Sequence, residues 1–355
     1  MINVVVVLLV LAVLAALLIP AIQRSREVAR RSQCKNNLKQ IGLALMNYCS
    51  VHQTFPPGVV VSQIPQATGG NHLGWFYQML PFWDSAPLYK WFDSKLDITA
   101  TGPRSNSELT SIILTSMRCP SDWGPDLDPH GSFGNRFNMG TGNYVGNFGV
   151  GYPSLNMHPE DCQGVTGPNS KIRIRDIKDG MANTILAAER RNPKRCGMFV
   201  AENLGSAPSN GGCTFWAGSG NAQSDLMAIV EPMQGGATPA IALFQILGTT
   251  RSGAVNEAMH NAREGSLGAG AKLWDGAAGT IRVNRTIAHV DGRDSTVLIS
   301  GDYQNKTTVG FSSWHSGGMQ AVLGDGTVRF INENVAPDVY QNLARRADGE
   351  TLGDF

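Results

Sequence analysis

His315 and Asp325 are placed by type and spacing to do chemistry, as an imidazole base and a carboxylate to orient it. Ser312, Ser313 and Ser316 lie near enough in sequence to complete a hydrolytic triad. A catalytic serine needs a strained, exposed turn, and neither a nucleophile elbow nor a second carboxylate accompanies the pair. The expected role is therefore structural: His315 and Asp325 tie down a hairpin. His289 with Asp291-Gly292 presents the same pattern and takes the same reading. Asp122, Asp126 and Asp128 offer carboxylates for a calcium loop, but the acidic twelfth-position ligand and the alternation of an EF-hand are missing. The six cysteines (Cys34, Cys49, Cys119, Cys162, Cys196 and Cys213) include no CxxC pair, and no histidine stands at zinc spacing. No metal or other cofactor is expected. Disulfides are expected if the domain is exported, in a connectivity the spacing leaves open; Cys196 and Cys213 are close enough for a local bridge.

The elements that must carry these residues are clearest toward the C-terminus. Residues 319–323 and 327–331 are short β-prone runs joined by Gly324-Asp325-Gly326, a hairpin signal because Asp-Gly tolerates positive φ. Pro337 opens a short helix, PDVYQNLARR. Upstream, residues 172–177 (IRIRDI) alternate as a half-buried strand, Asp179-Gly180 turns, and ANTILAAE enters a buried strand. Residues 114–122 read as a short strand ending in a turn, and 123–170 as loops and short strands. The aromatic run GWFYQMLPFWDSAPLYKWFD is expected to fasten a short helix or loop onto the core; a sugar-binding platform is the alternative. Residues from about 190 to 285 read as a loop-rich insertion.

At the N-terminus, residues 2–23 carry no charged side chain, and about 20 apolar residues suffice to cross a bilayer core. Apolar or small residues then recur at Cys34, Leu38, Ile41, Leu45, Tyr48 and His52, keeping one helical face toward a partner, until Phe55-Pro56-Pro57-Gly58 ends the helix. The expected object is one rod of about 50 residues within the N-terminal unit 1–55, roughly 75 Å long. Its first half suits lipid or other helices, and its second half suits a globular domain formed by residues 56–355. Arg24, Arg26, Arg30, Arg31, Lys35 and Lys39 follow the apolar stretch. Under the positive-inside rule they hold the C-terminal domain in the cytoplasm; as the solvated face of the helix they set no orientation. A net charge of +1 gives no electrostatic case for binding nucleic acid. With 16% charged residues, 41 glycines and 18 prolines, the composition suits a turn-rich β domain carried outside the cytoplasm.

Together these pieces resemble a bacterial family of pilin-like proteins recognised by a prepilin-type N-terminal helix and a C-terminal H-x9-DG motif. Here that motif is His315 and, after nine residues, Asp325-Gly326. The resemblance takes in LLIPAIQRSREVARRSQCKNNLKQIGLALMNY, LPFWDSAPLY, RCPSD, NYVG and DGMANTILAAE, in that order; residues of about 190–285 carry no matching motif. It implies an α+β, pilin-like fold, with the long N-terminal helix packed on an antiparallel sheet and a large loop-rich β insertion. It implies an assembly helix, with Val4, Leu8, Leu11, Leu14 and Leu18 in the inner membrane before assembly and in a filament core afterwards. Pro20 would kink or locally melt the rod, and Gly42 would let another backbone approach closely. The implied partners are further copies of the chain and pilus or type II secretion machinery, and the implied location is a cell-surface or periplasmic filament. His315, Asp325 and Gly326 take structural roles, and Cys34 and Cys119, both in matched segments, join Cys196 and Cys213 as disulfide candidates. One feature departs from the family. Members carry a short basic leader ending in Gly and a Glu at the fifth mature position, which here falls on Asn3 or Val5, depending on alignment.

Three functions are weighed. A structural subunit of a type IV pilus-like or pseudopilus filament needs no active site and would not be an enzyme. A membrane-anchored extracytoplasmic binding protein would use its Trp-rich and Gly-rich loops to capture a glycan or other ligand. An anchored hydrolase would need a convergent polar pocket around His315. The amphipathic continuation of the rod favours the first, because a plain tether has no use for it.

Overall fold

The computed structural model describes residues 2–60, 73–83, 85–96, 98, 105–127, 139–149, 162–192, 214–217, 247–249, 289–290, 293–294 and 311–350. The N-terminal helix, α1 (Ile2–His52), is one unbroken element of 51 residues, about 76 Å long at 1.5 Å per residue. It continues through Pro20, so the local melting expected there does not occur; the proline removes one intrahelical hydrogen bond without ending the ladder. The helix stops where Gln53 takes a φ of 60°, just before Pro56-Pro57 forbid further turns.

The two halves of α1 live in different surroundings. Residues 4–22 are exposed throughout, with Val4, Leu8, Leu11, Leu14 and Leu18 each between 49% and 62% accessible. From Cys34 onward the expected stripe is buried at Cys34, Leu38, Ile41, Leu45 and Tyr48. His52 remains exposed but stacks on Tyr48, with ring centroids 4.2 Å apart.

Nine strands follow among the described residues: β1 (Thr141–Gly142), β2 (Tyr144–Gly149), β3 (Ile185–Glu189), β4 (Thr214–Phe215), β5 (Leu247–Thr249), β6 (His289–Val290), β7 (Arg293–Asp294), β8 (Gly318–Leu323) and β9 (Val328–Asn332). The main sheet has the order β5-β2-β3-β8-β9, with β1-β4 and β6-β7 as separate pairs. Its ladders are antiparallel except that β5, from the predicted insertion, joins β2 in parallel. The sheet is therefore mixed at one edge rather than purely antiparallel. Alternation along the strands creates two faces. Val322, Leu186 and Phe148 pack with α1 and the aromatic segments. Met319, Ala321, Leu323 and Ile331 pack instead against Tyr340 and Leu343 of the C-terminal helix (Pro337–Ala344).

The aromatic run folds into α2 (Trp75–Met79), a 3-10 turn (Leu80–Phe82) and α3 (Ala86–Trp91), followed by α4 (Asn106–Thr110); the C-terminal helix is α5. Trp75, Phe76, Tyr77 and Phe92 are buried, and Phe76 and Phe92 meet Trp216 edge-on. This is core, as expected, with Trp91 left at the surface. Two expected strands are 3-10 turns: Thr115–Met117 and Ile174–Asp176. In the second, the Asp176 carboxylate accepts the Arg173 N–H at 2.8 Å. That local bond holds the backbone curled against the strand-like alternation of its sequence.

Candidate functional site

Side chains from distant parts of the chain converge where α1 passes the start of β8. Glu27 is the one acidic residue in α1. It pairs with Arg30 at 2.6 Å, and its Oε1 lies 2.8 Å from Nδ1 of His315. Burial opposes the Glu27 charge, but hydrogen bonds from His315 and Arg30 outweigh it and lower its pKa below the usual carboxylate value. An ionised carboxylate only accepts hydrogen bonds, so Nδ1 of His315 carries the proton and donates it. Burial lowers the His315 pKa against the pull of Glu27, and the ring is neutral at pH 7 with Nε2 as a lone-pair acceptor.

That bare nitrogen points inward. It lies 3.4 Å from Sγ of Cys119 and 3.6 Å from Oε1 of Glu189. Cys119 is joined to Cys34 of α1 in a disulfide with a Cα–Cα distance of 5.4 Å, which resolves one pairing the spacing left open. Glu189, at the end of β3, is fully buried; Oε2 accepts the Gln320 N–H at 2.8 Å, while Oε1 receives no hydrogen bond of normal geometry. Burial raises its pKa to about 7, against lowering by the Gln320 N–H, Ser313 and Arg31. Cys34, Cys119, Glu189 and His315 thus place four donor atoms within 4.8 Å of one another. The adjoining cavity, bordered by Asp122, Arg191 and Ser313, measures about 10 Å³, room for one water at most.

Asp325 is not part of this cluster. It is exposed in the β8–β9 turn, where it accepts the backbone N–H and the hydroxyl of Thr327 at 2.9 and 2.7 Å. The triad geometry is absent as well: Ser313 Oγ accepts the His315 backbone N–H at 3.2 Å, and the carboxylate on the ring is Glu27. The two ends of the H-x9-DG motif instead grip α1 at separate points. His315 holds Glu27, while at the turn the Gly326 carbonyl accepts Lys39 Nζ at 2.9 Å. Gly42 sits under β8 so closely that a Cβ would lie 2.7 Å from Val322 Cγ2. The close approach expected at Gly42 is thus made by this chain's own strand. Twelve helical residues from Glu27 to Lys39 rise about 18 Å, and a six-residue strand spans about 20 Å, so β8 lies alongside α1 as a latch.

The basic residues after the apolar stretch are partly spent on this latch. Arg31 donates to the Ser316 carbonyl at 2.6 Å and lies over the Phe330 ring at 4.6 Å. Other segments quoted for the resemblance close the other side. Asn37 donates to the Arg118 carbonyl and Tyr144 Oη, both at 3.2 Å, and Asn143 accepts the Cys119 N–H at 2.9 Å. Arg118 reaches Asp122 at 3.7 Å and Asp126 at 3.1 Å, placing a guanidinium where the calcium reading put an ion. Cys196, Cys213 and Asp128 lie outside the described residues, and His289 pairs with Asp294 in the β6–β7 ladder. Spacing alone missed Glu27 and Glu189. Their signals were an isolated acid in a basic helix and a charge ending an otherwise apolar strand.

The fold and this latch define an α+β protein with an apolar N-terminal helix long enough to cross a bilayer, a form compatible with a surface or membrane-anchored protein. The chain belongs to the bacterial family described as protein of unknown function DUF1559, which it matches over residues 23–338 and whose members often begin with a prepilin-like segment. No curated protein and no solved structure matches the chain.

Proposed function

We propose that this protein is a structural subunit of a type IV pilus-like or pseudopilus filament, held in the inner membrane before assembly and displayed outside afterwards. The observation that carries this reading is the division within α1. Residues 4–22 are apolar and exposed, yet belong to the same helix whose residues 34–49 are built into the core. An apolar surface already adapted to lipid can be transferred to the same surface of neighbouring copies without meeting water. The latch then fixes the globular domain rigidly on its assembly element, so helix packing would set the spacing of displayed domains. The role asks for no catalysis.

Electron microscopy and shearing of cells carrying the native assembly machinery test the proposal. Sheared filaments containing this chain, together with intermolecular cross-links through a Leu14→Cys substitution, are the expected result. A chain that stays in the membrane as dispersed monomers would sink it and favour the anchored binding protein.

A further inference from the structure

We propose that the buried cluster of Cys34, Cys119, His315 and Glu189 is a redox-exchangeable metal site, which takes one soft divalent cation such as Zn²⁺ when the disulfide is reduced. Thiolate, imidazole and carboxylate are the ligand types of tetrahedral zinc, with bonds near 2.3 Å to sulfur and about 2.0–2.1 Å to nitrogen and oxygen. Tetrahedral bonds of those lengths put N–S and N–O edges at about 3.5 Å and about 3.4 Å. The distances from His315 Nε2 to Cys119 Sγ and Glu189 Oε1 are 3.4 and 3.6 Å. Both edges from the imidazole therefore already have the lengths of a coordination tetrahedron, and all four donor atoms lie within 4.8 Å of one another. The two sulfurs must separate, to about 3.8 Å in the same geometry, once their bond is opened.

Two further observations point to a cation. Glu189 Oε1 is buried and receives no hydrogen bond of normal geometry, an arrangement costly for an anion unless something positive shares the space. His315 also has the orientation of a ligand, with Nδ1–H held by Glu27 at 2.8 Å and Nε2 presented to the other donors. A carboxylate behind a histidine in this way fixes the tautomer and raises the ligand's basicity. Arg30 and Arg31 lie close enough to act on the His315 charge, and they would temper the excess negative charge of two thiolates and two carboxylates around one dication.

The exchange balances without further reactants. A dithiol gives two electrons and two protons to the Cys34–Cys119 bond, opening it to two thiols and becoming a cyclic disulfide. The cation then displaces the two thiol protons into solvent. Either closure, S–S or S–metal–S, ties α1 to the segment carrying Cys119, so that tether would hold before and after oxidation. The proposal stands whether or not the chain forms filaments.

The test uses the full chain in detergent, reduced with dithiothreitol, desalted under anaerobic conditions and titrated with Co²⁺. One equivalent of cobalt with tetrahedral d–d bands and a sulfur-to-cobalt charge-transfer band is expected, displaced by Zn²⁺ and absent from the oxidised protein. Glu27→Gln should weaken the affinity about 10–100-fold. Replacing both Cys34 and Cys119 with serine should abolish the charge-transfer signal. If that variant does not fold, Zn²⁺ must slow alkylation of Cys34 and Cys119 in the reduced wild type, read by peptide mass spectrometry. Failure to bind cobalt, a charge-transfer band that survives replacement of both cysteines, or alkylation of the pair unchanged by zinc would overturn the proposal.

Discussion

Glu189 and His315 carry opposite pH signatures although their atoms are 3.6 Å apart. Burial raises Glu189 from an ordinary 4.5 to about 7. Its folded state therefore holds a proton that the unfolded chain has released. That contribution to stability is fully present below pH 4.5 and is lost as pH rises through about 7. His315 and Glu27, both lowered, act in the other sense: their contributions are lost as pH falls below their ordinary values of 6.5 and 4.5. Glu189→Gln keeps the shape and an acceptor for Gln320 while removing the titration. Its thermal unfolding temperature should decline less than that of the wild type between about pH 5 and pH 8; parallel curves would show that Glu189 ionises normally. His315 was legible in the sequence as a fixed point of a hairpin. Its partners were not, because they come from α1 and β3, more than 100 residues upstream.

At the scale of elements, α1 and β8 are held by a close approach and two polar grips, and a disulfide ties α1 to the segment after the Thr115–Met117 turn. Gly42→Ala gains about 1 kcal/mol of helix propensity but places a methyl 2.7 Å from Val322 Cγ2, an overpacking that costs about 1–3 kcal/mol. A net loss of about 1 kcal/mol is expected in chemical denaturation; a gain would mean the strand does not press on the helix. The Cys34–Cys119 bridge closes 85 residues of chain, and replacing both cysteines with alanine should lower stability by about 4 kcal/mol. The wild type should lose a similar amount under reductant without metal, and an unchanged denaturation midpoint would contradict the pairing. The β8–β9 hairpin and α5 were readable from Asp-Gly and Pro337 because turn and cap chemistry is local. The 3-10 turn at Ile174–Asp176 was misread because alternation resembles a strand and the bond that curls it is a single side-chain acceptance.

For the whole molecule, the governing feature is that one helix carries two surfaces, an exposed apolar half and a half built into the core. Leu11 lies near the middle of the exposed apolar half, 55% accessible. Leu11→Arg should raise the cost of placing the helix in a bilayer by about 2.5–3.5 kcal/mol. The same substitution should leave unfolding of the globular domain unchanged, since residues 4–22 contribute nothing to its core. Recovery in the membrane fraction should fall while the detergent-solubilised domain unfolds as before. Coupled loss of domain stability would show that the two halves of α1 are not independent.

The sequence by itself determined the rod, its apolar half, the buried stripe from Cys34 to Tyr48, the C-terminal hairpin and the burial of the aromatic run. The first four are written in local periodicity or turn chemistry, which a few neighbouring residues suffice to express, and the last in the burial energetics of aromatic side chains. Only the tertiary structure decided what His315 touches, which cysteines in the described core pair, that Asp325 stays in an exposed turn, and that Gly42 of α1 faces a strand latched along the helix. Those are contacts between segments that meet only when the sheet forms. Spacing along the chain carries no distance information about them, and burial, which sets the charge of Glu189 and the tautomer of His315, exists only in the fold.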